Sequence, residues 1–544
     1  MERYLEKVFE SALAEVGAPS GTSVKFEIPQ NAGHGDLSTN VAMTLAKELK
    51  RPPRALASEI IGLLKLDNAH VRSVEIAGPG FINVSFTRDY FIGELRNMLA
   101  AGADFGHTHS NDAKKINLEW VSANPTGNLH AGHGRQVCLG QAIANFLEWT
   151  GATVTREYYF NNAGNQMNNL AKSVRVRYLQ QLGDDIALDE DGYQGSEIVE
   201  IAKKIVSEFG KDKRDAPLSF FQSYGEQDNF NHIKATLERL GVHHDIFFNE
   251  QSLYDSGAVD ATIAEFKSRG LAYEKDGAVW LKLSAMGETD DRVIVKSTGE
   301  PTYRLPDIAY HRNKLSRGYD ELIDIFGADH IATIPDVLAG LRGLGYDTSR
   351  IKVVIHQMVS FLSGKETIKF SKRSGGAYTL EELIDDVGAD AVKFFFNMRA
   401  AGTHLEFDVE LAKEQSDKNP VYYVQYAHAR IASILRFATQ QGLELTDSDE
   451  ASLDVLEHSE ELALIKILLR FPEIVERSAQ SLAPHHLCEY LRMVSAQFHS
   501  FYQQCRIVGS PKEIETARLM LASVTKQVIA NGCLILGVSA PESM

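Results

Sequence analysis

Cysteine is scarce: the 544 residues hold four, Cys138, Cys488, Cys505 and Cys533, far apart and without a CxxC pair. That spacing excludes a dense disulfide framework and gives no sign of a structural zinc, so the four are read as reduced core residues. Uninterrupted apolar runs are short, well below the ~18 residues of a membrane span. The first residues, Met1-Glu-Arg-Tyr-Leu-Glu-Lys7, lack a signal-peptide pattern, so a cytoplasmic protein with no membrane association is expected. Positive charge is in deficit, with 56 Lys and Arg against 73 Asp and Glu and a formal net charge of −17. Non-specific nucleic-acid binding over the whole surface needs many cations to displace counterions and is disfavoured, whereas a local basic groove is not. The lysine-bearing loop considered below lacks the GxxxxGK[ST] spacing, which disfavours ordinary P-loop ATP hydrolysis. Internal repeats and low-complexity tracts are also missing.

What is present is a chain too long for one hydrophobic core. Residues 1–105 read as a small α/β unit, with Lys47, Lys50, Arg51 and Arg54 as a basic cluster suited either to RNA or to solvent. Ile116, Leu118, Trp120 and Val121 suggest a buried strand, Asn124-Pro-Thr-Gly127 a turn, and His130 to Trp149 a helix. Thr153–Phe160 is rich in β-branched and aromatic residues, which completes a βαβ unit of a parallel sheet. Helical patterns dominate from about 170 to 270. Segments 279–283, 292–295, 322–326 and 351–356 return to strand, and everything beyond about 390 reads as helical. A mixed α/β region over 113–390 and a helical remainder follow from this pattern.

The first turn of a helix has free N–H groups and the positive end of the dipole, so His130-Ala-Gly-His133 suits an anion such as phosphate. A structural helix start is the competing reading of this short motif. Lys369, Lys372 and Arg373 lie beside Ser371 and two glycines, a cationic loop whose ammonium groups suit a leaving pyrophosphate.

An HxGH turn after one strand and a K-x-S-K loop after a later one resemble the two signatures of class I aminoacyl-tRNA synthetases. The wider text narrows the resemblance. The first signature reads Ser122, Ala123, Asn124, Pro125, Thr126, Gly127, Asn128, Leu129, His130, Ala131, Gly132, His133. With Arg156–Gln166, Pro301–His311, Gly327–His330 and Asn419–Arg430, it resembles bacterial-type arginyl-tRNA synthetase, and the similarity spans essentially the whole chain. Two departures, Ala131 for a larger apolar residue and Phe370 for methionine in the lysine loop, fall at packing positions.

The resemblance implies an α/β fold: a Rossmann-like parallel-sheet catalytic domain over 113–390 with a helical insertion at about 170–270, an N-terminal tRNA-contacting domain over 1–105, a connecting helical region over 391–418 and an all-α anticodon-binding domain over 419–544. It implies ATP-dependent activation of arginine to arginyl-adenylate and transfer to the 3′ end of tRNA(Arg), with Mg2+ accompanying ATP, no structural zinc, and a monomer. His130, His133, Lys369 and Lys372 would be catalytic; Gly132, Gly327, Asp329, His330 and Ser371 would contact ATP. Glu119, Ser122, Asn124, Tyr303 and Asp307 would recognise arginine, because a guanidinium is best met by carboxylates. In a helix, Tyr303 and Asp307 would form an i,i+4 pair on one face. Tyr422, Tyr426, His428 and Arg430 are candidate RNA contacts. The competing readings are another class I ligase, such as one for cysteine, and a non-catalytic tRNA-binding paralogue.

Overall fold

The computed structural model describes residues 1–29, 31–162, 164–364, 366–367, 378–443 and 453–544. The chain begins with α1 (Glu2–Glu15), β1 (Leu37–Thr39), α2 (Val41–Ala46), α3 (Pro53–Leu63), β2 (Val71–Ala77), β3 (Phe81–Phe86) and α4 (Arg88–Ala101). The strands form an antiparallel sheet in the order β1-β3-β2. Leu5, Phe9, Leu56, Ile60, Ile82 and Val84 are fully buried between this sheet and the helices. Salt bridges tie the unit to the C-terminal helices, among them Lys466 to Asp36 at 2.6 Å.

The catalytic region follows with β4 (Lys115–Glu119), α5 (His133–Trp149), β5 (Thr153–Phe160), α6 (Asn165–Gln181), α7 (Ser196–Phe209), α8 (Leu218–Arg239) and β6 (Ile246–Asn249). Next come α9 (Gln251–Asp255), α10 (Ala258–Ser268), β7 (Ala272–Lys275), β8 (Ala278–Leu281), β9 (Arg292–Val295), α11 (Arg304–Ser316), β10 (Glu321–Gly327), α12 (Ile334–Gly343) and β11 (Ile351–His356). Five strands make a parallel sheet in the order β11-β10-β4-β5-β6. Chain order runs outward from β4 in one direction and from β10 in the other, so the sheet reverses between these two strands. Crevices at the carboxyl ends of strands on either side of such a reversal are where open α/β sheets bind ligands.

Several expectations need correction. The strand stops at Glu119, not Val121, and α5 starts at His133, not His130. The helical insertion is α6–α8, with its own core around Leu170, Val174, Tyr178, Ile201 and Phe221; β6 inside the range read as helical is a sheet strand. β7–β9 form a separate antiparallel sheet rather than extending the parallel one.

The remainder comprises β12 (Val359–Ser363), β13 (Glu366–Thr367), α13 (Leu380–Val387), α14 (Ala389–Asn397), β14 (Leu405–Asp408), α15 (Val409–Lys413) and α16 (Pro420–Gln440). It ends with α17 (Ser459–Leu468), α18 (Phe471–Ser481), α19 (His485–Gln504) and α20 (Lys512–Leu536). The region beyond 390 is therefore not all helical, because β14 pairs in parallel with β12. The stripe Leu487, Leu491, Val494 and Phe498 on α19 is bundle core, as its spacing suggests. By length and composition α20 is apolar enough to cross a bilayer, yet 72% of its most apolar window is buried inside the protein, so it serves as the central helix of the bundle. All four cysteines are buried and unpaired, and burial pushes the Cys138 and Cys533 thiols up to about 12.

Candidate active site

β4 is the middle strand of the parallel sheet, and Ile116, Leu118 and Trp120 are sealed beneath α5. The helix can lie this close because residue 140 is glycine: a Cβ there would meet the Trp120 ring at 2.2 Å. Immediately after Glu119 the backbone turns sharply, with φ of 72° at Val121 and 47° at Ser122. Left-handed backbone at non-glycine residues costs roughly 1–2 kcal/mol each, and it persists where surroundings over-determine it. Here Val121 is buried, the Tyr159 N–H donates to Ser122 Oγ at 3.2 Å, and Ser122 Oγ donates to Glu119 Oε1 at 3.0 Å. Asn124 is fixed from both sides: its Oδ1 accepts from the Asn161 N–H at 3.0 Å and its Nδ2 donates to Gln166 at 2.9 Å. Tyr158 donates to the Ala123 carbonyl at 2.7 Å and Asn229 to that of Pro125 at 2.9 Å. The turn from Ser122 to Gly127 is thus held against β5, α6 and α8.

The two histidines stack, with ring centroids 3.6 Å apart and an interplanar angle of 19°. The His130 backbone N–H donates to Nδ1 of His133 at 3.2 Å, so that nitrogen is an acceptor and the remaining proton sits on Nε2. Burial holds the His133 imidazole down at about 3 and also lowers that of His130, so both are neutral donors rather than cations near pH 7. His356, at the end of β11, is likewise lowered, first by burial. Gly132 is a close approach, since a Cβ would lie 3.1 Å from the His130 ring.

The lysine loop residues Lys369, Ser371 and Lys372 lie outside the described residues, but the segment that follows them does not. The Ala131 N–H donates to the Tyr378 carbonyl at 2.7 Å and the Leu380 N–H to the Leu129 carbonyl at 2.8 Å. His130 and Thr379 consequently form an antiparallel bridge, which places the end of the loop against the histidine turn. Thr379 also caps α13 in a reciprocal capping box with Glu382.

Arg135 escaped the sequence reading. It is 1% exposed, and its guanidinium donates to the Gln357 carbonyl at 2.9 Å and the Ala400 carbonyl at 2.8 Å. Burial lowers it to about 10, so it remains charged, and it makes no ion pair among the described residues. Its position two residues after the HxGH turn was the available signal.

On the other flank, Gly327 ends β10 opposite His356. Asp329 and His330 follow in a single 3-10 turn with side chains 81% and 54% exposed, and His330 stacks on Phe326. No side chain caps that turn.

The carboxylates differ sharply in what they already hold. Glu119 is buried and accepts from Lys314 Nζ at 2.8 Å. Glu157 on β5 is fully buried, with Arg317 bound through both nitrogens at 2.7 and 2.8 Å and Tyr310 at 2.8 Å. Asp324 on β10 holds Lys314 and His311. Asp307, in the first turn of α11, has no hydrogen-bond or ion-pair partner for its carboxylate among the described residues. Burial pushes it up to about 7, with Glu250, Glu119 and Asp324 adding repulsion against the pull of His311. Glu250, just past β6, was also missed because its strand read as helix. It accepts from Tyr159 at 2.5 Å and is raised by burial. Tyr303 is the N-cap of α11 rather than a residue of its interior, yet its carbonyl accepts from the Asp307 N–H at 3.2 Å, the i,i+4 spacing expected, and its side chain stands 76% exposed.

The crevice therefore has two chemically distinct ends. One collects neutral imidazole donors, a helix N-terminus and a buried guanidinium, and suits phosphates. The other offers carboxylates lacking a counter-ion and suits a cation.

Comparisons with known proteins agree with this geometry. The model of the tRNA synthetase class I (R) catalytic domain matches residues 94–400. The arginyl tRNA synthetase N-terminal domain matches 3–86 and the DALR anticodon binding domain 424–544. An arginine–tRNA ligase of Desulfotalea psychrophila is 47% identical, with 95% of this chain and 94% of that protein aligned. One of Salinibacter ruber is 46% identical over the whole of both chains. The Thermus thermophilus arginyl-tRNA synthetase structure superposes over the whole of both chains with a TM-score of 0.81 at 22% identity, a likeness of fold. A histidine turn suited to an anion at the sheet reversal, a carboxylate beside it that lacks a counter-ion among the described residues, and full-length similarity to these relatives lead to one conclusion: the chain belongs to the arginyl-tRNA synthetase family.

Proposed function

We propose that the chain joins arginine to tRNA(Arg) at the expense of ATP, in two steps at the crevice between β4 and β10. The arginine carboxylate attacks the α-phosphate of ATP, releasing pyrophosphate and forming arginyl-adenylate; a 3′-terminal hydroxyl of the tRNA then takes the arginyl group and AMP leaves. His130 and His133 donate hydrogen bonds to charge growing on the phosphate oxygens, and the backbone at Gly132 lets ATP approach α5. Lys369, Ser371 and Lys372 follow the pyrophosphate as it departs. Gly327, Asp329 and His330 line the nucleotide side. Neutral histidines give donors whose positions are set before reaction, which is where most such rate enhancement arises; no protein nucleophile is required.

The single observation that supports the substrate assignment is Asp307, a half-buried carboxylate with no partner among the described residues. A guanidinium supplies the missing charge and a planar donor fork, whereas the neutral isostere citrulline leaves Asp307 desolvated and unpaired. Tyr303, free at the N-cap, closes over the substrate, while Ser122 and Asn124 hold the turn that meets its α-carbon end. Mg2+ accompanies ATP, screening the triphosphate.

The bundle at 419–544 receives the anticodon and the N-terminal unit the outer corner of the tRNA. Tyr422 and Tyr426 stack 6.2 Å apart on α16, with Tyr426 41% exposed, and Arg430 donates to Tyr502 at 3.0 Å on the surface. His428 is instead buried on the Pro541 carbonyl and is withdrawn from the RNA contacts. The enzyme acts as a cytoplasmic monomer. Exchange of radiolabelled pyrophosphate into ATP, with each amino acid and with or without total tRNA, tests the reading. Arginine-specific exchange is expected; exchange with a different amino acid overturns the substrate, and none under any condition overturns catalysis.

A further inference from the structure

Lys314 lies on α11 and is completely buried. Its ammonium donates to Glu119 Oε2 at 2.8 Å and to Asp324 Oδ1, and it sits 4.9 Å from the centre of the Tyr310 ring. The other oxygen of Asp324 meets His311 Nε2 at 3.0 Å, and Nδ1 of the same ring lies 2.8 Å from the Asp307 backbone carbonyl. Both ring nitrogens face acceptors, so His311 carries a proton on each, in keeping with the upward pull of Asp324 against the cost of burial. Glu119, Asp324, Lys314 and His311 thus sum to zero charge. Glu157 and Arg317 form a second neutral pair. Asp307 and Glu250 are what remains.

A buried ion cluster is an expensive way to hold a helix on a sheet, because apolar residues of similar volume do so at least as well. Its place beside the proposed substrate site calls for an electrostatic reason. We propose that Lys314 is a positioning residue for amino-acid recognition: it neutralises Glu119 and Asp324 from inside and so leaves Asp307 as the carboxylate that meets the substrate guanidinium. The inference rests on the arginine reading given above. It departs from the assignment of Glu119 as a guanidinium ligand, since that carboxylate already has a cation on one oxygen and Ser122 on the other.

Without Lys314 the pocket would hold further uncompensated carboxylates. The groups facing Asp307 are Glu119 from β4, Tyr159 from β5, Glu250 beyond β6, Tyr254 from α9, Asp324 from β10 and His311 from its own helix. Deleting the ammonium leaves Glu119 exposed to Asp307 and makes Asp307 harder to ionise.

The experiment is arginine-dependent pyrophosphate exchange against pH for Lys314→Met, in the full-length enzyme with tRNA. The acid limb of kcat/KM for arginine should move to higher pH, so that activity near pH 6.5 falls about tenfold further than in the parent, while KM for ATP stays put. Lys314→Met combined with Glu119→Gln leaves Asp324 and His311 balanced, and the limb should return. A role confined to packing would lower the melting temperature of both variants without moving the limb, and that result overturns the proposal. Should neither variant fold, Glu119→Gln decides: it should keep the preference for arginine over citrulline, and loss of that preference makes Glu119 the guanidinium partner and overturns the proposal. Asp307→Asn separates the two levels. If it leaves KM for arginine unchanged, the arginine pocket itself is misassigned; if it raises KM while Lys314→Met leaves the limb in place, only the role of Lys314 falls.

Discussion

Arginine binding should titrate with Asp307. With the carboxyl pushed up to about 7 in the empty pocket, about nine-tenths of sites are ionised at pH 8 and about one-tenth at pH 6. Only the ionised form attracts a guanidinium, so kcat/KM for arginine should fall about tenfold across that interval, with an apparent midpoint near pH 7. His133, held down at about 3, and the lowered His130 contribute nothing to that limb. Binding at pH 7 should also expel about half a proton per site, seen as a buffer-dependent heat in calorimetry. Asp307→Asn keeps the shape and removes the charge. Losing one partner of a desolvated charge pair costs about 2–5 kcal/mol, hence at least about a 30-fold rise in KM for arginine, with KM for ATP nearly unchanged. The variant's profile between pH 6 and 8 should be flat. A parent enzyme without the limb, or a variant that retains it, would refute the assignment of this carboxylate.

Other consequences follow from the same geometry. Asp307 is harder to ionise in the folded protein than in the unfolded chain, so through this group the empty enzyme loses stability as pH rises from about 4 to about 7 and is level above. The gain in melting temperature on adding arginine should accordingly grow across that window, and a gain independent of pH would contradict it. His133→Asn should lower kcat for exchange by about 100-fold or more with little change in KM for arginine, because its donor acts on charge that develops in the transition state; a pure KM effect would count against it. Gly140→Ala drives a methyl into the Trp120 ring and should cost about 1–3 kcal/mol by chemical denaturation, since overpacking at a helix–sheet contact has no free volume to relax into. Arg317→Met strands the buried Glu157 and should cost about 3–5 kcal/mol; a loss below 1 kcal/mol would mean that water reaches the pair.

Much of the site was legible from residues near one another in the chain. The HxGH turn, the strand before it and the helix after it form one local unit, and its neighbours β5, β10 and β11 were found from apolar and β-branched content. Two short strands were not, although the equally short β8 and β9 were. β6 is four residues between helices, and β14 is four residues whose partner β12 lies more than forty positions earlier. Runs that short carry no period long enough to separate strand from helix, and amid helical patterns only pairing identifies them. Tyr303 was placed inside a helix that begins one residue later, a boundary set by capping rather than by pattern.

The sequence by itself determined the family and pointed to the chemistry: hydrogen-bond donors at a helix start for a phosphate, lysines for a leaving group and, through the resemblance, acidic residues for a guanidinium. Which acidic residue is free was decided only in three dimensions. Glu119 lies 195 positions from Lys314, and Glu157 lies 160 from Arg317. A carboxylate's availability depends on whether a cation reaches it within hydrogen-bond distance, and the fold brings Lys314 to Glu119 and Asp324 and Arg317 to Glu157 while, among the described residues, leaving Asp307 without one. Identity and spacing specify what a side chain can do; the fold's pairing of charges specifies which of them is left to do it.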